Sequence, residues 1–237
     1  MKKFVLIIVS VFAAIGILYA QNVFFSMKEG QTLLYAHLDK KGDINNYTRQ
    51  TVTKIEGSGQ NFSINYVTQL LDKNRKPIED NPEFTFTITV INNVMELDLN
   101  NFGGQIANFA GALGEASVEI TGDKIKLPAS LKVGDKLNDA RYTITVNMDF
   151  AKFTSEVAIT QHECIAIEDI KVPAGAFKCY KLTHNSTATA MANTAMAKTI
   201  TNKTLTWYAS GVGVIKSETY DSDGKLQSGM QLQSIEK

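Results

Sequence analysis

The feature that most constrains this chain is a period-two alternation of apolar and polar residues, repeated in short runs along most of its length. Residues 61–71 set Phe62, Ile64 and Tyr66 against Ser63 and Asn65, and residues 84–91 alternate Phe84, Phe86, Ile88 and Val90 with threonine. Successive side chains of a strand point to opposite faces, so this spacing marks half-buried strands and not helices. Residues 31–38, 44–56, 94–99, 118–121, 142–150, 153–167, 177–189, 196–209, 212–220 and 226–235 read in the same way. Between them lie turn-forming groups such as Lys40-Lys41-Gly42-Asp43, Gly57-Ser58-Gly59, Asn92-Asn93 and Asp221-Ser222-Asp223-Gly224. About 11–12 strands joined by short loops predict an all-β antiparallel meander. No internal repeat or interdomain linker interrupts it.

The N-terminus sets the compartment. Met1-Lys2-Lys3 is followed by an apolar run over residues 4–14, and Ala20 precedes the polar Gln21-Asn22. That is the layout of a secretory signal peptide cleaved after Ala20, leaving residues 21–237 as one β-rich domain. Ser10 and Gly16 break the run and no basic flank follows it, so no transmembrane anchor is expected after cleavage. With no cysteine at the cleavage point, no lipoprotein anchor is expected either. The leader carries two of the 24 basic residues and none of the 24 acidic ones, so the remaining chain is close to neutral. It has no basic footprint for nucleic acid and no cationic face for anionic lipid. The expected location is the periplasm, the outer membrane surface or the extracellular space.

Two segments depart from the strand pattern. Residues 187–198 are rich in Ala, Thr and Met and read as a long hairpin turning near Asn193, with a helix as the alternative. Residues 100–114 read as a short helix capped by Asn100 or Asn101 and ended by Gly114. Phe102, Ile106, Phe109 and Leu113 fall within about 60° of one another on a 3.6-residue turn. The opposite side holds Gly104, Ala107 and Gly111. Interior glycines cost about 1 kcal/mol each against alanine, so such a helix must be held by packing. It would either plug a barrel end or lie as a lid over an apolar groove.

The search for chemistry returns no site. His37, His162 and His184 have no metal-ligand spacing, and no nucleophile elbow occurs. Gly211-Val212-Gly213 precedes a strand, so no helix N-terminus awaits a phosphate. Asp221-Ser222-Asp223-Gly224 lacks the remaining ligands of a calcium loop. No catalytic, metal or cofactor-binding residue is therefore expected, and no cofactor. Cys164 and Cys179 flank residues 169–174, read as a hairpin connection, and would face each other if the hairpin were centred there. In an oxidising compartment they form either a disulfide worth about 3 kcal/mol or two separate buried thiols. Trp207 and Tyr208 belong to the core or stack on a ligand.

Val172-Pro173-Ala174-Gly175-Ala176-Phe177 and Trp207-Tyr208-Ala209-Ser210-Gly211-Val212-Gly213-Val214-Ile215-Lys216-Ser217-Glu218 resemble two motifs of the TapB-like family of exported Gram-negative proteins, a domain of unknown function 3108-like group. Met27-Lys28-Glu29-Gly30 and Leu131-Lys132-Val133-Gly134-Asp135 fit it as well. The resemblance implies a strongly curved antiparallel sheet, an open or half β-barrel, similar at greater distance to the half-barrels of periplasmic lipoprotein carriers. It implies no activity, because its motif positions build turns and core. The leading expectation is a protein that binds a lipid or other apolar ligand in a groove under residues 100–114. The alternative is a structural or assembly partner of another envelope protein, and a hydrolase comes third.

Overall fold

A computed structural model of the chain describes residues 24–26, 28–78, 83–98, 116–148, 151–192 and 197–236. Its elements are β1 (Thr32–Leu38), β2 (Ile44–Ser58), β3 (Asn61–Leu71), β4 (Phe84–Ile91), β5 (Val94–Leu97), β6 (Ala116–Gly122) and β7 (Ile125–Pro128). They continue with β8 (Ala140–Met148), β9 (Ala151–Val172), β10 (Gly175–Ala192), β11 (Lys198–Ala209), β12 (Gly213–Asp221) and β13 (Leu226–Glu236). All join one antiparallel sheet in the order β6-β8-β9-β10-β11-β12-β13-β1-β2-β3-β4-β5-β7. The first strand thus pairs with the last, through Thr32 opposite Glu236.

The all-β expectation holds, but the expectation of a meander of 11–12 strands with one short helix needs correcting. There are thirteen strands, the order is not a plain meander, and among the described residues there is no helix. Residues 100–114, with Phe102, Ile106, Phe109 and Leu113, lie outside the described residues. Phe24 and Leu131 pack into the buried face of the sheet from outside the strands. The unexpected strand is β7, whose Ile125-Lys126-Leu127-Pro128 alternates over four residues only and ends in proline. The region around residues 187–198 takes the hairpin reading, with Ala190 opposite Lys198.

The two end strands of the order, β6 and β7, are joined in sequence by Asp123 and Lys124 alone. At 3.8 Å per residue, Gly122 and Ile125 lie no more than about 11 Å apart. The sheet must therefore bend until its two edges meet at that corner. Asp123 ties the corner to β8 through its backbone N–H to Arg141 O (2.8 Å) and its carboxylate to Arg141 N (2.9 Å). Lys124 reaches the other edge at Glu96 of β5 (3.4 Å). A second link follows. Ala129 N donates to Asn93 O, and the chain then runs beside β9, with Gly134 N on Cys164 O, Cys164 N on Asp135 O and Leu137 N on His162 O. These two crossings make a half-barrel with one face turned inward.

On that inner face Ile64, Tyr66, Ile88, Met95 and Leu127 of β3 to β7 meet Leu182 of β10 and Cys164 of β9. One end is filled by Phe24, edge-on to Tyr180 at 5.1 Å and tilted against Tyr208 at 5.7 Å. Ser26, fully buried, donates to Gln31 and fixes the approach of this N-terminal segment. The outer face has its own smaller core where Leu34, Ala36, Tyr47 and Leu71 pack together beneath Arg75, whose guanidinium lies 5.0 Å over the Tyr47 ring.

A cavity inside the half-barrel

The inner face is not filled to the far end. It encloses a cavity of about 390 Å³ lined by side chains from β1 to β5, β7 and β9 to β13, with Phe25 added from the N-terminal segment. The alternation of each strand decides which residues reach it. On β1 these are Leu33, Tyr35 and His37. On β10 they are Leu182 and His184, and on β3 they are Tyr66, Thr68 and Leu70. Among the described residues no Asp, Glu, Lys or Arg lines it.

Register gives the cavity two polar ends. On β10, Tyr180 stands opposite Tyr208 of β11, and His184 lies four residues further along, opposite Thr204. On β1, which runs in the same direction, Tyr35 likewise precedes His37. Phenols therefore gather at the end plugged by Phe24 and Phe25, and imidazoles at the other. All three histidines of the chain line this one space. His162 and His184 meet edge to face with ring centroids 5.4 Å apart, and His37 Nε2 lies 2.6 Å from Thr48 Oγ1. His162 also borders an outer groove formed by Lys136, Asp139, Glu163, Asn185 and Lys203. It stands between the cavity and the surface.

Burial keeps these groups uncharged. It pushes the Tyr208 phenol up to about 12 and raises those of Tyr35 and Tyr66 further. It lowers His37 and His184, and with the neighbouring His184 it brings His162 down to about 4 against the opposing pull of Asp139. Near neutral pH the lining is therefore apolar with scattered neutral hydrogen-bonding groups. Among the described residues no cluster of three or more His, Cys, Asp or Glu is arranged to hold a metal ion.

The residues singled out from sequence separate in space. Cys164 and Cys179 are free, buried thiols. The hairpin closes at Val172 opposite Gly175, so its turn is only Pro173-Ala174, and the register sets Cys164 opposite Leu182 and Cys179 opposite Glu168. A turn placed over residues 169–174 would have aligned them; the shorter one does not. Tyr208 lines the cavity while Trp207 faces away, buried between the ammonium groups of Lys181 (4.8 Å) and Lys216 (5.0 Å) and donating its indole N–H to Glu168 (2.6 Å). That contact holds the Glu168 carboxyl below its ordinary range. Replacing Glu168 by alanine leaves the indole N–H unpaired and is expected to cost about 1–3 kcal/mol, read from urea unfolding curves.

Two motifs shape the closed end. Ala174 N donates to Leu232 O, folding the β9–β10 tip onto β13. At Gly213, φ is +122°, and an added Cβ would sit 3.5 Å from Phe24 O and 3.7 Å from the Tyr35 hydroxyl. What sequence reasoning missed is the convergence of His37, His162, His184, Tyr35 and Tyr66. Its one trace is a polar or amphipathic side chain at positions where the alternation calls for an apolar one, as in Leu182–His184.

This fold has solved counterparts. A candidate exported protein with YmcC-like fold from Bacteroides fragilis superposes with a TM-score of 0.67 at 21% identity, covering 91% of this chain and 100% of that one. A candidate lipoprotein from Parabacteroides distasonis gives a TM-score of 0.70 at 21% identity, covering 91% and 99%. At such identity the likeness shows the fold alone, and the half-barrel is YmcC-like. Among curated proteins no sequence matches. Residues 28–232, nearly the whole of the sheet, match the DUF3108-like profile, and the chain belongs to the DUF3108-like family.

Proposed function

We propose that this chain is an exported envelope protein that holds one apolar ligand inside the half-barrel. The carrying observation is the cavity: about 390 Å³, and with no formally charged side chain among the described residues that line it. Ligand sites fall in the range of about 300–1,000 Å³ and are mostly apolar with a few placed polar groups. The reading is of a binder, not an enzyme. Export is supported by the signal-like residues 1–20 and by the description of the Bacteroides protein as a candidate exported one. The Parabacteroides counterpart is a candidate lipoprotein, so the expectation that a lipid anchor is foreign to such proteins finds no support. The Val172–Pro173–Ala174–Gly175 and Trp207–Tyr208 motifs support a place in the TapB-like group within the family.

Native mass spectrometry of the mature protein, purified without detergent, is expected to show a bound species of lipid mass. A fluorescent naphthylamine probe should enter the delipidated protein and brighten. Leu70→Trp places an indole in the cavity and should cut probe uptake about tenfold while the strand circular dichroism is retained. Protein that is empty under all conditions and excludes the probe would overturn the proposal.

A further inference from the structure

Two residues of the cavity lining carry hydroxyls that find no partner among the described residues. Tyr66 and Thr68 are only 1% exposed and both line the cavity, and among the described residues neither Tyr66 Oη nor Thr68 Oγ1 has a hydrogen-bond partner. The two residues alternate to the same face of β3, their Cα atoms about 7 Å apart along the strand. The Tyr66 ring is held rigidly, stacked on Phe86 at 4.9 Å and edge-on to Phe25 at 6.3 Å. A buried, unpaired hydroxyl is unfavourable in itself and becomes favourable once a partner reaches it.

The same wall discriminates against charge. A carboxylate or ammonium in this space would meet no opposite charge from the described residues, among which no ionisable acid or base other than neutral imidazoles and phenols lines it. Burying an unpaired ion costs far more than two neutral hydrogen bonds return. A hydroxyl or ester oxygen is different, because it can accept from Tyr66 and Thr68 while its hydrocarbon lies against Ile88, Met95 and Leu127.

Resting on the binding reading above, we propose that the ligand is an uncharged amphiphile. It consists of an alkyl or acyl chain bearing a hydroxyl or ester group, whose oxygen is held by Tyr66 and Thr68. The site selects against free fatty acids and other anionic amphiphiles. The fixed phenol is preorganised for this contact, so little ordering is needed on binding.

Displacement of the naphthylamine probe from the delipidated, full mature protein tests this with three competitors of equal chain length: a primary alcohol, its carboxylate and its alkane. At pH 7.5 the alcohol is expected to bind at least about tenfold more tightly than the carboxylate, and about fivefold more tightly than the alkane. Tyr66→Phe and Thr68→Val should each shrink the alcohol-to-alkane ratio by about twofold. Neither should lower the melting temperature of the ligand-free protein, because each removes a hydroxyl that has no partner there. A carboxylate that binds as tightly as the alcohol would overturn this inference and leave the binding reading standing. An undiminished ratio in both variants would overturn the assignment of the two hydroxyls. Failure of all three competitors would overturn the binding reading itself.

Discussion

Replacing Gly122 by alanine is expected to lower the unfolding free energy by about 3 kcal/mol and the melting temperature by roughly 6–12 °C. Gly122 ends β6 with φ of +127°, a conformation that L side chains rarely adopt. A Cβ there would collide with the carbonyl oxygen of Arg141 and lie 2.6 Å from Tyr142 Cα. Both are backbone atoms of β8, paired with β6 in register, so neither can swing aside. The position also starts the two-residue link through which the edges of the half-barrel meet, so a shift there is transmitted to β7 and to Leu127 on the inner face. Gly59 is the control. It too has a positive φ, +66°, but open space around its Cβ direction, so alanine should cost only about 1 kcal/mol. Paired thermal melts and urea titrations decide the matter. Equal losses at the two positions would mean that close approach at the corner is not what requires a glycine at 122.

The strands were largely legible in sequence, and the reason lies in the sheet. Each has one face inward and one outward, so alternation survives in residues 61–71 and 84–91 almost without exception. Where the structure departs from that reading, local irregularity is responsible. Strand β9 runs through to Val172 and not only to Ile167, and Gln161 takes a φ of +54° at a point where the register slips. A slip of this kind reverses parity without any compositional mark, whereas the misalignment of Cys164 and Cys179 comes from the turn, which sits at Pro173-Ala174 and not over residues 169–174. β7 was missed because four residues ending in proline carry too little pattern.

An apolar groove was expected, but the residues that line the cavity were not legible. Eleven strands contribute one to three side chains each, so no window of the sequence holds enough of the site to be recognised. His37, His162 and His184 are isolated in sequence and meet only because β1, β9 and β10 wrap around one space. The resemblance motifs were informative about the closed end, at Ala174 and Gly213, and silent about the end where the imidazoles gather.

Those imidazoles should make the protein sensitive to mild acid. The His162 side chain titrates near pH 4 in the folded protein, against an ordinary value of about 6.5 in the unfolded chain. The unfolded chain therefore takes up a proton that the folded one refuses. This contribution to stability is complete above about pH 6.5 and is lost as the pH falls toward 4, by up to about 3 kcal/mol. His37 and His184, also lowered by burial, act in the same direction. The groups facing His162 are His184 across the ring contact and Asp139 in the segment between β7 and β8, with Lys136, Glu163 and Lys203 around the outer groove. Only the Asp139 carboxylate is seen to oppose the depression, and burial outweighs it. The carboxyls of Asp39, Asp72 and Glu168 are held below their ordinary values by hydrogen bonds, so they too lose stability as the pH falls below the ordinary carboxylate range, equally with and without His162, and that loss cancels in the comparison. Urea unfolding at pH 7.5 and pH 4.5 should show His162→Gln losing roughly 2–3 kcal/mol less than the unaltered protein across that interval, with similar m-values. Parallel losses in the two proteins would mean that the His162 ring is protonated in the folded state, and that the lining of the cavity is not neutral.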